Sequence, residues 1–333
     1  RIRTLKEDVP KGRTVTATSD IWTANTEVPY ISLTAHWIET TTEQWTLKKA
    51  TVGCEAFGGP HTATRFQQKL EHMADVVGIK GNIVTITADT SANIRKAIND
   101  WTGVGLIGCA AHVIERSVQN YVSRKELKAT IDVFNKAATH FGCWTASQEH
   151  LGRAQKARGK RPKKVPISCK MRWWSYYYML SALLEYRYEV MSTTEAANQR
   201  PKGPSINIRG ADWHNVEEMC KMLGPFAEAV ELIEGDRYVT LSDIPCLMEG
   251  PNAAILDASS SLPEDGALLH TGDYLFDDHS DRWEELNTPT KVAAMVDPRT
   301  NDGAWTETTE HNAHFELVKD ACKDLVQRDY AVE

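Results

Sequence analysis

Three early stretches alternate β-branched or aromatic residues with polar ones. Residues 13–23, Arg-Thr-Val-Thr-Ala-Thr-Ser-Asp-Ile-Trp-Thr, are rich in types that suit a pleated, half-buried surface and predict a strand. Residues 27–38 and 44–54 predict two more, and the polar run from Glu39 to Glu43 suits a hairpin between them. Gly58-Gly59-Pro60 then breaks the pattern. From Thr62 to Val77 the period becomes helical: Phe66, Leu70, Met73 and Val77 fall on one face, and Gly78 is placed as the C-terminal stop. Residues 82–88 return to an apolar strand that ends at Asp89. Ser91 is placed to cap a short helix running to about Asp100, and residues 105–110 make a fifth strand leading to His112. The order β-β-β-α-β-α-β predicts a mixed sheet with flanking helices, in which the strand before Asp89 lies parallel to the first.

Beyond residue 112 the periodicity is helical. Val118, Val122, Leu127, Ile131, Phe134, Ala138 and Phe141 recur at helical spacing within 113–150. Residues 153–172 read as a basic connection broken by Gly and Pro, followed by an aromatic helix from Trp173 to Glu185. Residues 196–211 read as a loop, 212–234 and 243–256 as helices, 257–266 as a linker, and 268–296 and 308–330 as further helical segments. The expected fold class is therefore α/β plus α, with a mixed sheet over residues 1–112 and a large helical region over 113–333.

Charge is divided unevenly between the two ends. Residues 1–211 hold 30 Lys and Arg against 18 Asp and Glu; residues 212–333 hold 8 against 27. The first part suits a polyanionic partner and the last would repel one, unless the acids form a solvated helical surface. No apolar run reaches the roughly 20 residues of a membrane helix, so no membrane association is expected. The opening Arg-Ile-Arg-Thr-Leu-Lys-Glu-Asp lacks the apolar core of a signal peptide, and the first residue is not Met, as in a fragment. The 7 cysteines are widely spaced with no Cys-x-x-Cys, which fits reduced thiols.

Candidate chemistry centres on Asp20, inside the first strand, and Asp89, at the end of a strand expected to run beside it. Two carboxylates on neighbouring strands would suit Mg²⁺ or Mn²⁺, which take oxygen ligands and support phosphoryl transfer. Strand-end aspartates are common, so a structural role stays open. Cys109-Ala-Ala-His112 has zinc-ligand types, but without a second ligand pair nearby a buried thiol and a structural histidine explain it as simply. The basic stretch, including Lys160, Arg161, Lys163 and Lys164, would grip phosphates, serve as an import signal, or remain a solvated loop. Trp173, beside Arg172, would stack on a base or fill a helix core.

Several of these stretches, taken together and in order, resemble the hAT-superfamily transposases, particularly the domesticated BED-zinc-finger proteins. They are Thr18-Ser-Asp-Ile-Trp-Thr23, Tyr30-Ile-Ser-Leu-Thr-Ala-His-Trp37, His61-Thr62, Asp89-Thr-Ser-Ala-Asn93, Cys109-Ala-Ala-His112, Arg172-Trp-Trp-Ser175 through Met179-Leu180, and Val296-Asp-Pro-Arg299. The resemblance implies an RNase-H-like core interrupted by a helical insertion, with DNA as partner and the nucleus as location. It further implies Mg²⁺-dependent strand cleavage and transfer by a DDE site, of which Asp20 and Asp89 are the first two acids. Cys109 and His112 would lie near that site, Trp173 would meet a flipped base, and a C-terminal region would form a homo-oligomer.

The chain also departs from the family pattern. Thr90 and Trp174 stand where the family has Asn, no BED finger is evident, and Glu310 and Glu316 lack the surroundings of the third acid. The expected function is thus a transposase-derived DNA-binding protein with an incomplete catalytic set. The alternatives are a catalytically silent DNA-bound regulator or oligomeric scaffold, and an unrelated nuclease of the same fold.

Overall fold

The computed structural model describes residues 5, 9, 13–24, 26–40, 45–168, 174–200, 204–235, 238–260, 262, 267–284 and 286–300. They form two compact units, one of residues 1–112 with 235–239 and one of the remaining residues from 113 onward.

The first unit is built on a sheet of order β3-β2-β1-β4-β5. β1 (Val15–Thr23), β2 (Pro29–Thr40) and β3 (Trp45–Ala56) form the predicted antiparallel meander. α1 (Ala63–Val76) crosses to β4 (Ile83–Ala88), which pairs parallel to β1; α2 (Ala92–Asn99) then leads to β5 (Gly105–Gly108), parallel to β4. Strand alternation puts Ile31, Leu33, Ala35 and Trp37 of β2 in the core with Val15 and Ala17 of β1. Phe66, Leu70 and Met73 of α1 complete it.

β4 departs from strict alternation. Val15 pairs with Ile83 but Thr16 pairs with Thr85, so Val84 is an extra residue in a β-bulge. The bulge lets Ile83 and Ile86, three positions apart, both be buried while Val84 points to solvent.

Gly78 ends α1 as the sequence predicts. Its φ is +79°, its N–H donates to Asp75 O at 2.9 Å, and Ile79 N–H donates to Ala74 O at 3.0 Å. This pair of bonds satisfies two carbonyls that the helix end would otherwise leave open. Gly78→Ala should therefore cost about 1–2 kcal/mol, because a Cβ strains the left-handed conformation. A urea-unfolding midpoint that does not move would count against this account. Ser91 does precede α2, but its side chain makes no capping hydrogen bond; only its carbonyl joins the helix, accepting from Arg95 N–H.

The second unit is helical: α3 (Ala110–Val122, begun in the first unit), α4 (Lys125–Cys143), α5 (Thr145–Ala157), α6 (Trp174–Glu185), α7 (Arg187–Asn198), α8 (Gly210–Ile233), α9 (Ile244–Ser260), α10 (Ala267–Glu284) and α11 (Asn287–Val296). Several predicted boundaries move. Residues 153–157 are helical, because the good helix formers continue until Gly159, whose φ is +72°. Residues 196–198 extend α7, and α8 starts two residues early, where Asp212 accepts three hydrogen bonds from Arg209 at 2.9 Å. The expected linker at 257 begins later, since α9 continues far enough to bury Ala258. The 268–296 segment is two helices rather than one. The helix expected at 308–330 lies outside the described residues.

Candidate functional site

Asp20 and Asp89 are brought together by register. Thr18 of β1 pairs with Thr87 of β4, and each aspartate lies two residues further along its chain. Parallel strands advance in step, so both acids reach the same level, on the face of Thr18 and Thr87 and away from Ala17 and Ile86. Both line one cavity of about 270 Å³ at the C-terminal ends of β1 and β4. Ends of neighbouring strands where the topology turns are common ligand sites in such sheets.

The Asp20 side chain is 55% exposed. Its Oδ1 accepts the Ile21 N–H at 2.7 Å and lies 3.7 Å from Nε2 of His112. His112, in the first turn of α3, also lines the cavity. Its imidazole is pushed up to about 9, first by the Cys109 side chain as hydrogen-bond acceptor and then by the field of Asp20 and Asp89, against the opposing effect of burial. Nδ1 of His112 is buried and makes no hydrogen bond of ordinary geometry. Among the described residues no group of three or more His, Cys, Asp or Glu side chains gathers as a metal cage, and Cys109 with His112 finds no further pair for zinc. The described cysteines form no disulfide.

His61 and Asn93 also line the cavity. His61, at the mouth of α1, packs its ring 5.1 Å from Phe57 and 5.7 Å from Phe66, with Nε2 3.1 Å from Phe57 O. Asn93 donates Nδ2–H to His61 O at 2.8 Å. Asn93 therefore ties the start of α2, just past Asp89, to the approach to α1. The sequence offered His61-Thr62 and Asp89-x-x-x-Asn93 as separate motifs, and only the fold shows them meeting. His36 lies against β1: Thr18 Oγ1 is 3.2 Å from its Nε2, and burial followed by Lys49 holds its pKa below the ordinary value.

The basic segment is more ordered than a solvated loop. Glu189 of α7, fully buried, is within 3.3 Å of Arg158 Nε and 3.2 Å of Lys160 Nζ. Lys160 also donates to Glu185 O at 2.8 Å. Lys160 is therefore committed to a structural ion pair. Lys163 lies 3.7 Å from Glu185 and stays mostly exposed, while Arg161 and Lys164 are exposed. Arg172 and Trp173 lie outside the described residues. In the following helix the buried face is Met179, Leu180 and Leu183.

A mixed sheet bringing two aspartates of neighbouring strands to one cavity, continued by a helical unit, is the RNase-H-like architecture with a helical region that the resemblance implies. Residues 18–102 match the ZBED1 RNase-like domain and residues 107–222 match the ZBED1 RNase-like helical domain. The chain belongs to this family of domesticated, hAT-like transposases. Relatives include the human zinc finger BED domain-containing protein 6, 24% identical over 65% of this chain. The putative AC transposase of Zea mays is 23% identical over 67% of it. The zinc finger BED domain-containing protein RICESLEEPER 3 of rice is 19% identical over 86%. The chain spans only 22%, 29% and 39% of the lengths of these three relatives. Among the described residues no helix is long and apolar enough to cross a membrane.

Proposed function

We propose that the protein is a nuclear, DNA-binding derivative of a hAT transposase whose RNase-like unit retains a two-carboxylate site for Mg²⁺ or Mn²⁺. With these acids alone it does not complete strand cleavage and transfer. The observation that carries this reading is the level placement of Asp20 and Asp89 on parallel neighbours, opening into one cavity. The donor set fits: both are hard oxygen ligands, and Asp20 leaves Oδ2 without a hydrogen bond. A divalent ion bound there would stabilise the charge that develops in phosphoryl transfer. The protein's own part is to hold the two carboxylates in register and to set His112 against Asp20. Among the described residues no third carboxylate joins them.

Calorimetric titration of the full chain with Mn²⁺ should show binding that weakens by roughly tenfold or more in both Asp20→Asn and Asp89→Asn. A nicking assay on duplex DNA should show no metal-dependent cleavage. Metal affinity indifferent to both substitutions would sink the site. Cleavage abolished by either substitution would overturn the silent reading and restore an enzyme.

A further inference from the structure

Part of the basic segment is a fixed wall. Gln155 of α5 is fully buried; its Nε2–H donates to Lys163 O at 3.2 Å and its Oε1 accepts Lys163 N–H at 3.1 Å. Val165, two residues on, is buried as well. These contacts lay the chain after Gly159 back along α5. Between the two runs lies a groove of about 510 Å³, bordered by Arg153 and Lys156 on one side and Lys163 and Lys164 on the other. Its floor is apolar, formed by Phe141, Leu151 and Val165. Glu149 is the one acid at its edge. Among the described residues no carboxylate is ion-paired with Arg153, Lys156 or Lys164.

Trp144 is the chain neighbour of a residue that lines this groove. It immediately precedes that residue, Thr145, and is 66% exposed, more than any other large hydrophobic residue described. It caps the backbone of α5, its carbonyl accepting from Ser147 and Gln148, and no aromatic ring packs on it among the described residues.

We propose that this groove binds single-stranded nucleic acid, with Arg153, Lys156, Lys163 and Lys164 on the phosphates and a base stacked on Trp144. The inference rests on the DNA-binding reading and adds to it a location and a strand state. Four cations border the groove, Lys163 among them facing Glu185 at 3.7 Å, against one acid in the lining, and that excess attracts a polyanion. A duplex would use the charges but not the apolar floor or the exposed indole, since its bases are already stacked. A single strand uses all three, which is how sequence-tolerant single-strand sites are built. An acidic polypeptide would satisfy the charges and leave Trp144 idle.

The test is fluorescence anisotropy of the full chain with a labelled oligo-dT of about 15 nucleotides and with a duplex of equal length, over a series of salt concentrations. Trp144→Ala should weaken single-strand binding roughly 5- to 150-fold, leaving the salt slope and duplex binding unchanged. The double variant Lys163→Glu, Lys164→Glu should weaken it further and lower the salt slope by about 1.4. Trp144→Phe should restore much of the loss, which separates stacking from misfolding. Single-strand binding that Trp144→Ala leaves intact overturns the proposal, as does polyglutamate displacing the oligonucleotide from wild type and Trp144→Ala alike. Wild-type DNA binding that none of these variants alters defeats this inference alone. A wild-type chain that binds neither probe defeats the DNA-binding reading with it.

Discussion

Replacing Trp213 by Ala should lower the unfolding free energy of the helical unit by about 3–5 kcal/mol. Trp213 is fully buried in α8 and is the largest such side chain described. Phe134 of α4 meets its indole edge-to-face, with ring centroids 4.9 Å apart, and the Arg187 guanidinium at the start of α7 lies 5.3 Å from the ring. One side chain therefore joins three helices, and truncation leaves a cavity that all three must close. The indole Nε1–H is buried with no hydrogen-bond partner, an existing cost that the large apolar contact outweighs. Trp213→Phe removes that orphan donor along with some volume and should cost less than half as much as Ala. Urea denaturation followed by circular dichroism decides the matter. A Trp213→Ala chain within about 1 kcal/mol of wild type would show that the three helices are not held through this ring.

Acidification should destabilise the same unit through His279. This residue is fully buried in α10, its two ring nitrogens lack partners, and its ring sits edge-on to Phe226 at 4.9 Å. Burial holds its pKa down at about 4, and the neighbouring Asp278 opposes this only in part. An unfolded chain takes up the proton near 6.5 and the native state resists until about 4. The stabilising effect is thus complete above 6.5 and is lost as pH falls toward 4, amounting to about 3 kcal/mol by linkage. His279→Phe keeps the edge-on packing and removes the titration. Its stability should fall less steeply than wild type across this window. Parallel curves for the two proteins would refute the assignment.

Much of the first unit was legible in sequence because its signals are local. Alternation identifies the meander, the 62–77 period identifies α1, and Gly78 marks its end by the backbone it needs. Asp20 stands out as an acid inside a strand and Asp89 as one at a strand end, and the helix between strands implies that their strands run parallel. What escaped depends on partners remote in the chain. Nothing local in Ile83-Val-Thr-Ile86 announces a bulge; only the demand that Ile83 and Ile86 share one core does. Lys160 looks like any other cation of its run until Glu189, nearly thirty residues later, is found buried against it. The helix end at Ser260 moved because tertiary burial carried α9 past the point where composition turns polar. Trp144 drew no attention because an aromatic between two helices looks like core, and its exposure is a property of the fold alone.

The bulge at Val84 bears on where the level of the two acids is set. Between Asp20 and Asp89 the chain makes two hairpins and a helical crossover, and a one-residue slip of β4 against β1 would rotate one carboxylate to the opposite face of the sheet. The irregularity lies upstream of the Thr18–Thr87 step, where Ile83 and Val84 are spanned by a single step of β1. From Thr85 onward the two strands advance together, so the common level of the two aspartates is set by the regular pairing after Val84 and not by the pairing before it.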